Sequence, residues 1–279
     1  MGQYFKGYYF KCCEGERAAA FIPALHTDGK KRGASLQVIT KERSYTLPYP
    51  DIVFGRKGLR IKIGGNRFSE RGIRLEARTE ECCIRGRLEF GSFECIKYDI
   101  MGPFVYIPFM QCRHYVASMR HSVRGVIEIN GEEYIFKNGT GYIEGDSGRS
   151  FPKKYIWTQC GFDGGSLMLA VADIPFPGFC FKGIIGVVML EGREYRIATY
   201  LGARLAEAGD GGVTVKQGDY VFCAKLLKAN RKSLLAPAGG KMTRTIHESV
   251  ACRAYYRFSR GGKVLLEFIS ESASFEYEL

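Results

Sequence analysis

Apolar and polar residues alternate with a period of two along almost the whole chain. Ile84, Gly86, Leu88 and Phe90 interleave with Arg85, Arg87 and Glu89, and Leu59, Ile61 and Ile63 with Arg60 and Lys62. That period places one residue set on each face of a pleated strand. Glycine-containing dipeptides punctuate the pattern where hairpins need them. Asn130-Gly131 joins VIEI to EEYIF, Glu191-Gly192 follows the apolar run ending at Leu190, and Gly261-Gly262 separates ACRAYYRF from KVLLEF. Helical periodicity is nearly absent; Leu201 to Ala208 is the one stretch expected to coil for a turn or two. About a dozen and a half strand-like segments without intervening helices predict an all-β sandwich or barrel, and are too many for one small barrel. Two domains are expected, residues 1–145 and 146–279, with the joint where Gly145 to Pro152 interrupts the alternation. A joint there would set that segment at an interface, a common place for ligand pockets.

Composition agrees with a globular β protein. The 279 residues are 46% hydrophobic and 13% aromatic, with 35 glycines for tight turns and only 9 prolines. The net charge of +12 invites a nucleic-acid reading. Most of the basic residues, however, alternate with apolar ones, as on a solvated sheet face, and the longest basic run is Lys30-Lys31-Arg32. No nucleic-acid partner is expected; weak contact with an anionic membrane surface is the remaining use for the charge. The ten cysteines show no CxxC spacing, so neither zinc nor redox work is expected of them, and no metal or cofactor is predicted. MGQYFKGYYFKCC lacks the apolar core and cleavage site of a signal peptide, which points to a cytoplasmic protein with reduced thiols.

Candidate chemistry concentrates between Met101 and Gln159. By strand parity Tyr142, Glu144 and Asp146 share a face, as do Tyr155, Trp157 and Gln159. Upstream, Met110, Cys112, His114, Val116 and Ser118 form a second wall. Two carboxyls in a dry setting can share a proton, because burial and a like charge both favour the neutral acid. The bland alternative has Asp146 bonding the amides of a turn at Ser147-Gly148. His114 is either a hydrogen-bonded core residue or a group that orients a carboxyl. Phe104, Tyr106, Phe109, Tyr142 and Trp157 offer π faces to a developing cation, or simply fill the core. Gly145-Asp146-Ser147-Gly148 matches a serine-protease fragment, but the preceding histidine signature and following glycine are missing.

These residues, in this order, resemble the tocopherol cyclase family over nearly the whole chain. The likeness rests on Tyr8-Tyr9-Phe10-Lys11, Ile100 to Phe104, Pro108 to Met110, Cys112, His114, Gly141 to Glu144, Asp146, Ser150-Phe151-Pro152, Trp157 and Gln159. It continues through Ala172-Asp173-Ile174-Pro175, Ala198-Thr199-Tyr200, Leu235-Ala236-Pro237, Met242 and Glu248-Ser249. The resemblance implies two lipocalin-like β domains and a cofactor-free, proton-initiated cyclisation, hydration or isomerisation of an apolar, prenylated substrate. On that reading Asp146 is the acid, Glu144 its proton-sharing partner and His114 an orienting group. Tyr142 and Trp157 stabilise a cation and Gln159 holds the polar head, with Phe104, Phe109 and Met110 lining the site. The same cavity also suits a non-catalytic carrier or sensor of a hydrophobic small molecule. Two departures stand out: Ser147 and Gly145 replace a tryptophan and a lysine usual in the family. Loss of a large ring beside Asp146 would enlarge or wet the pocket.

Overall fold

The computed structural model describes residues 2–108, 110–176 and 178–279, with the backbone alone at Phe176. The chain is nearly all β and forms two large antiparallel sheets. The first contains β1 (Tyr4–Glu14), β2 (Arg17–Thr27), β3 (Arg32–Thr40), β4 (Ser44–Tyr49), β5 (Val53–Phe54) and β6 (Arg60–Ile63). It continues with β7 (Asn66–Ser69), β8 (Gly72–Arg78), β9 (Cys83–Phe90), β10 (Cys112–Ile129) and β11 (Glu132–Gly148). The second begins with β12 (Tyr155–Phe162), β13 (Gly165–Phe176), β14 (Phe179–Leu190), β15 (Arg193–Ala198) and β16 (Arg204–Gly209). Then come β17 (Gly212–Gln217), β18 (Tyr220–Lys228), β19 (Lys232–Ala238), β20 (Lys241–Arg260) and β21 (Lys263–Glu278).

Both sheets follow one plan. In each, the first strand bonds to the last in the middle of the sheet, β1 to β11 and β12 to β21, and meanders run outward on both sides, except that the long β20 bonds to β18 and carries β19 as a side branch. The two edges are therefore consecutive strands, β4 and β5 in the first sheet and β15 and β16 in the second. That order is an up-and-down barrel with one seam, which is the lipocalin-like architecture. The predicted hairpins form at Asn130-Gly131, Glu191-Gly192 and Gly261-Gly262. The positive φ values at Asn130 (51°) and Glu191 (49°) fit turns whose twist matches the strands.

One expectation fails. Leu201 to Ala208 does not coil: only Thr199–Leu201 makes a 3₁₀ turn, and Arg204–Gly209 pairs with β17 as a strand. A segment this short is marginal as a helix, whereas the Asp210-Gly211 hairpin supplies a ladder at once. A second 3₁₀ turn, Gly102–Tyr106, lies in the connection between β9 and β10. Among the described residues no helix is long and apolar enough to cross a membrane.

Strand parity sorts the buried side chains into three cores. Phe10, Cys12 and Ile143 face the interior of the first sheet, and Ile156, Cys160 and Tyr256 that of the second. Their strand neighbours Tyr9, Tyr142, Tyr155 and Trp157 face the opposite way, into a third core between the sheets. Strands β1, β11, β12 and β20 are thus buried on both faces over much of their length. β6 and β8 alternate cleanly between core and solvent, with their arginines and lysine outside. Four cysteines (Cys12, Cys82, Cys160 and Cys252) are buried, and all ten are free thiols.

Candidate active site

The third core is not filled. A cavity between the sheets is lined mainly by apolar side chains, with Met101, Phe104, Met110, Phe151 and Tyr8 on the side of the first sheet and its flanking loops. Ala170, Ile174, Ile185, Leu234 and Ile246 face them from the second sheet. Four carboxyl side chains interrupt this lining: Glu144, Asp146, Glu248 and Glu276.

Glu144 and Asp146 project from β11 on one face, as parity requires, and His114 of the neighbouring strand β10 stands between them. The register sets His114 directly opposite Asp146 and Val116 opposite Glu144. His114 Nδ1 lies 3.0 Å from Asp146 Oδ1 in a hydrogen bond. Nε2 lies 3.2 Å from Glu144 Oε2, within ion-pair range but off the line a hydrogen bond needs, so it makes no hydrogen bond among the described residues. Burial alone would lower the His114 pKa, but the charges of Glu144 and Asp146 outweigh it and hold it well above its ordinary value. His114 is thus held between two carboxyl side chains that favour its protonated form. Cys112 adds a thiol 3.4 Å from Asp146 Oδ1. Glu144 is anchored further: Tyr142 donates its hydroxyl, and Trp157 donates Nε1–H at 3.1 Å, both to Oε2. One donor atom from each of His114, Glu144 and Asp146 lies within 4.8 Å of the others, so these are the side chains that could also hold a cation.

The opposite wall belongs to the second sheet. Glu248 on β20 and Glu276 on β21 are register partners. Tyr9 donates to Glu248 Oε1 and Tyr155 to Glu276 Oε2. Burial pushes the Glu248 pKa up to about 7, against the lowering effects of the Tyr9 hydroxyl and the more distant Lys11 ammonium. Burial, then the neighbouring Glu248 charge, push Glu276 well above the carboxylic range. Burial likewise keeps Tyr9, Tyr142 and Tyr155 as phenols, ready to donate. The Tyr9 and Trp157 rings meet edge to face at 5.5 Å between centroids, linking the two walls.

The predicted residues divide accordingly. Asp146, Glu144, His114, Trp157, Phe104 and Met110 line the cavity. Tyr142 lies buried behind Glu144 as its hydrogen-bond donor. Gln159 is buried away from the cavity, its amide oxygen accepting from Lys11 Nζ at 3.1 Å. Tyr106 is 85% exposed and offers no π face to the site. Phe109 lies outside the described residues. Asp146 does not bond a turn at Ser147-Gly148, because β11 runs through Gly148.

The two departures from the family pattern also resolve differently. Ser147 occupies the strand face opposite Asp146 and does not line the cavity, so it neither widens nor wets it. At Gly145 a Cβ would come within 2.3 Å of the Tyr115 hydroxyl, so Tyr115 fills the space a longer residue would need. Spacing gave no sign of Tyr9, Glu248 or Glu276, although Tyr9 and Glu248 fall inside blocks that carry the resemblance.

The sequence model of the family described as tocopherol cyclase-like matches residues 81–173. This span is similar in sequence to that family. It holds His114, Glu144, Asp146 and Trp157, while Glu248 and Glu276 lie beyond it. No curated protein sequence matches. Among solved structures, CghA in complex with Sch210972 has a TM-score of 0.67 at 8% identity, covering 99% of this chain and 89% of its own. A putative AttH from Nitrosomonas europaea scores 0.56 at 12% identity, covering 99% and 93%. Kievitone hydratase from Nectria haematococca scores 0.53 at 9% identity, covering 99% and 89%. At these identities the likeness is one of fold, and it extends across both sheets.

Proposed function

We propose that this protein is a proton-transfer enzyme that cyclises or hydrates an apolar, prenylated small molecule in the cavity between its sheets. One observation carries the reading: His114 is clasped between Glu144 and Asp146 at the wall of an otherwise apolar cavity. Addition of a proton to an alkene makes a carbocation, which needs a dry site, nearby rings and a group that takes up the proton released when oxygen captures the cation. The cavity supplies each. Trp157 and Tyr9 bring aromatic rings, and Asp146, hydrogen-bonded to His114, puts a carboxyl at the cavity wall to receive the released proton. The tocopherol cyclase-like match over residues 81–173 supports a cyclisation, and a neighbour named as a hydratase supports the related addition of water.

The test is incubation with a panel of prenylated quinols in heavy water. A product of unchanged mass apart from one carbon-bound deuterium marks cyclisation, and one heavier by a molecule of water marks hydration. Asp146→Asn should lower turnover by about 10²–10⁴-fold, the usual share of a positioned acid or base, while leaving a neutral apolar fluorophore bound. Binding of the panel with no turnover by the wild type would replace the enzyme with a carrier.

A further inference from the structure

Glu248 is a carboxyl that the proton chemistry above leaves unused. It is only 1% exposed and lines the cavity from β20, on the sheet opposite the His114 cluster. Its Oε1 accepts the Tyr9 hydroxyl, but Oε2 makes no hydrogen bond among the described residues. A buried carboxylate oxygen without a donor carries an uncompensated desolvation cost. Protonation of that oxygen removes the deficit and leaves an O–H on a side chain that lines the cavity.

The groups facing Glu248 favour the protonated form. Glu276 is its register partner on β21, and Glu144 adds a negative charge from β11. Lys11 on β1 spends its ammonium on Gln159 and the Ser272 carbonyl, at 3.1 and 2.8 Å. Lys232, the register partner on β19, donates to Asn230 Oδ1 instead. Burial, against the lowering contributions of Tyr9 and Lys11, lifts its pKa to about 7. Glu248 thus has two buried acids near it and no ammonium bonded to it.

We propose that Glu248 is the proton donor of this site, facing the Asp146–His114 acceptor across the cavity. The assignment rests on the proton-transfer reading above and moves the donor role expected of Asp146 to the other wall. The Oε2–H bond of Glu248 breaks as the alkene π pair forms a C–H bond, leaving a carbocation and the Glu248 carboxylate. The substrate's own hydroxyl, or a water, then forms the C–O bond and loses its proton to Asp146. One proton enters at carbon and one leaves from oxygen, and exchange with solvent restores both carboxyls without any oxidant or reductant.

Glu248→Gln keeps the size of the side chain and an acceptor for Tyr9 but removes the transferable proton. With the prenylated quinol panel it should lower kcat by about 10²–10⁴-fold, leave binding of the neutral fluorophore unchanged and abolish the alkaline limb of the kcat/KM–pH profile. Glu248→Asp should restore part of kcat. Infrared spectroscopy of the substrate-free wild type should show a protonated-carboxyl C=O band that titrates through neutral pH and is missing from the Gln variant. If Glu248→Gln keeps wild-type kcat and the alkaline limb while Asp146→Asn is inactive, the donor assignment is overturned and the proton-transfer reading stands. If the wild type turns over nothing in the panel, that reading fails. The infrared band then decides separately whether Glu248 holds a proton, and its absence overturns the assignment.

Discussion

The two walls of the cavity carry the same kind of residue in different surroundings. On the first sheet, Glu144 and Asp146 flank an imidazole whose charge they hold in place. On the second, Glu248 and Glu276 lie side by side, and among the described residues only phenols donate to them. The difference teaches what decides a buried acid's behaviour: a cation in contact favours the ionised carboxylate, and burial beside another acid favours the neutral one. The cavity thus pairs a wall whose carboxyls meet a base with a wall where burial raises the pKa of its acids.

Breaking the first wall should have the largest effect on stability. His114→Ala leaves two carboxylates close together without their cation, and removal of one partner from a buried ion pair typically costs about 3–5 kcal/mol. Chemical denaturation near neutral pH measures it, and a loss under ~1 kcal/mol would mean the cluster is already neutral.

The second wall should respond to pH with the opposite consequence on mutation. The Glu248 pKa is 4.5 in an ordinary setting and about 7 here. Below 4.5 both folded and unfolded chains are protonated there; as pH rises toward 7 the unfolded chain ionises first, so folding stability falls. That loss amounts to about 3 kcal/mol once pH exceeds the folded value. Glu248→Gln should remove this slope and match or exceed the wild type above neutrality while losing activity, a stability–function trade. His114 has the same sign, because its raised pKa gives stability that is present below 6.5 and lost as pH climbs through the folded value. The difference between wild type and Glu248→Gln across pH isolates Glu248.

The smallest of these effects belongs to the residue that joins the walls. Trp157→Phe keeps the ring against Tyr9 but removes the Nε1–H donated to Glu144. A lost hydrogen bond to a charged group costs about 1.5–3 kcal/mol. The unfolding free energy, read by chemical denaturation, should fall by that amount, with a smaller loss of turnover than in Asp146→Asn.

Much of the first wall was legible from spacing. Tyr142, Glu144 and Asp146 share a face because a strand repeats every two residues, and the family likeness named His114 as their companion. The hairpins at Asn130-Gly131, Glu191-Gly192 and Gly261-Gly262 were legible for a similarly local reason, since glycine relieves the strain of positive φ. The place of Ser147 is not legible from its adjacency to Asp146, because odd and even positions of β11 face different cores. The case of Gln159 differs: it follows Trp157 by parity, yet the cavity ends before it and Lys11 claims its amide.

The sequence by itself determined the class of fold, the strand faces and one acidic wall, because each is set by interactions between residues close along the chain. Only the tertiary structure brought Tyr9 to Glu248 across 239 residues and set Glu248 beside Glu276. An acid in a strand reads the same in sequence whether it faces water or a cavity. Its protonation depends on burial and on the charges that the other sheet brings near it, and neither exists until both sheets have closed around the space between them.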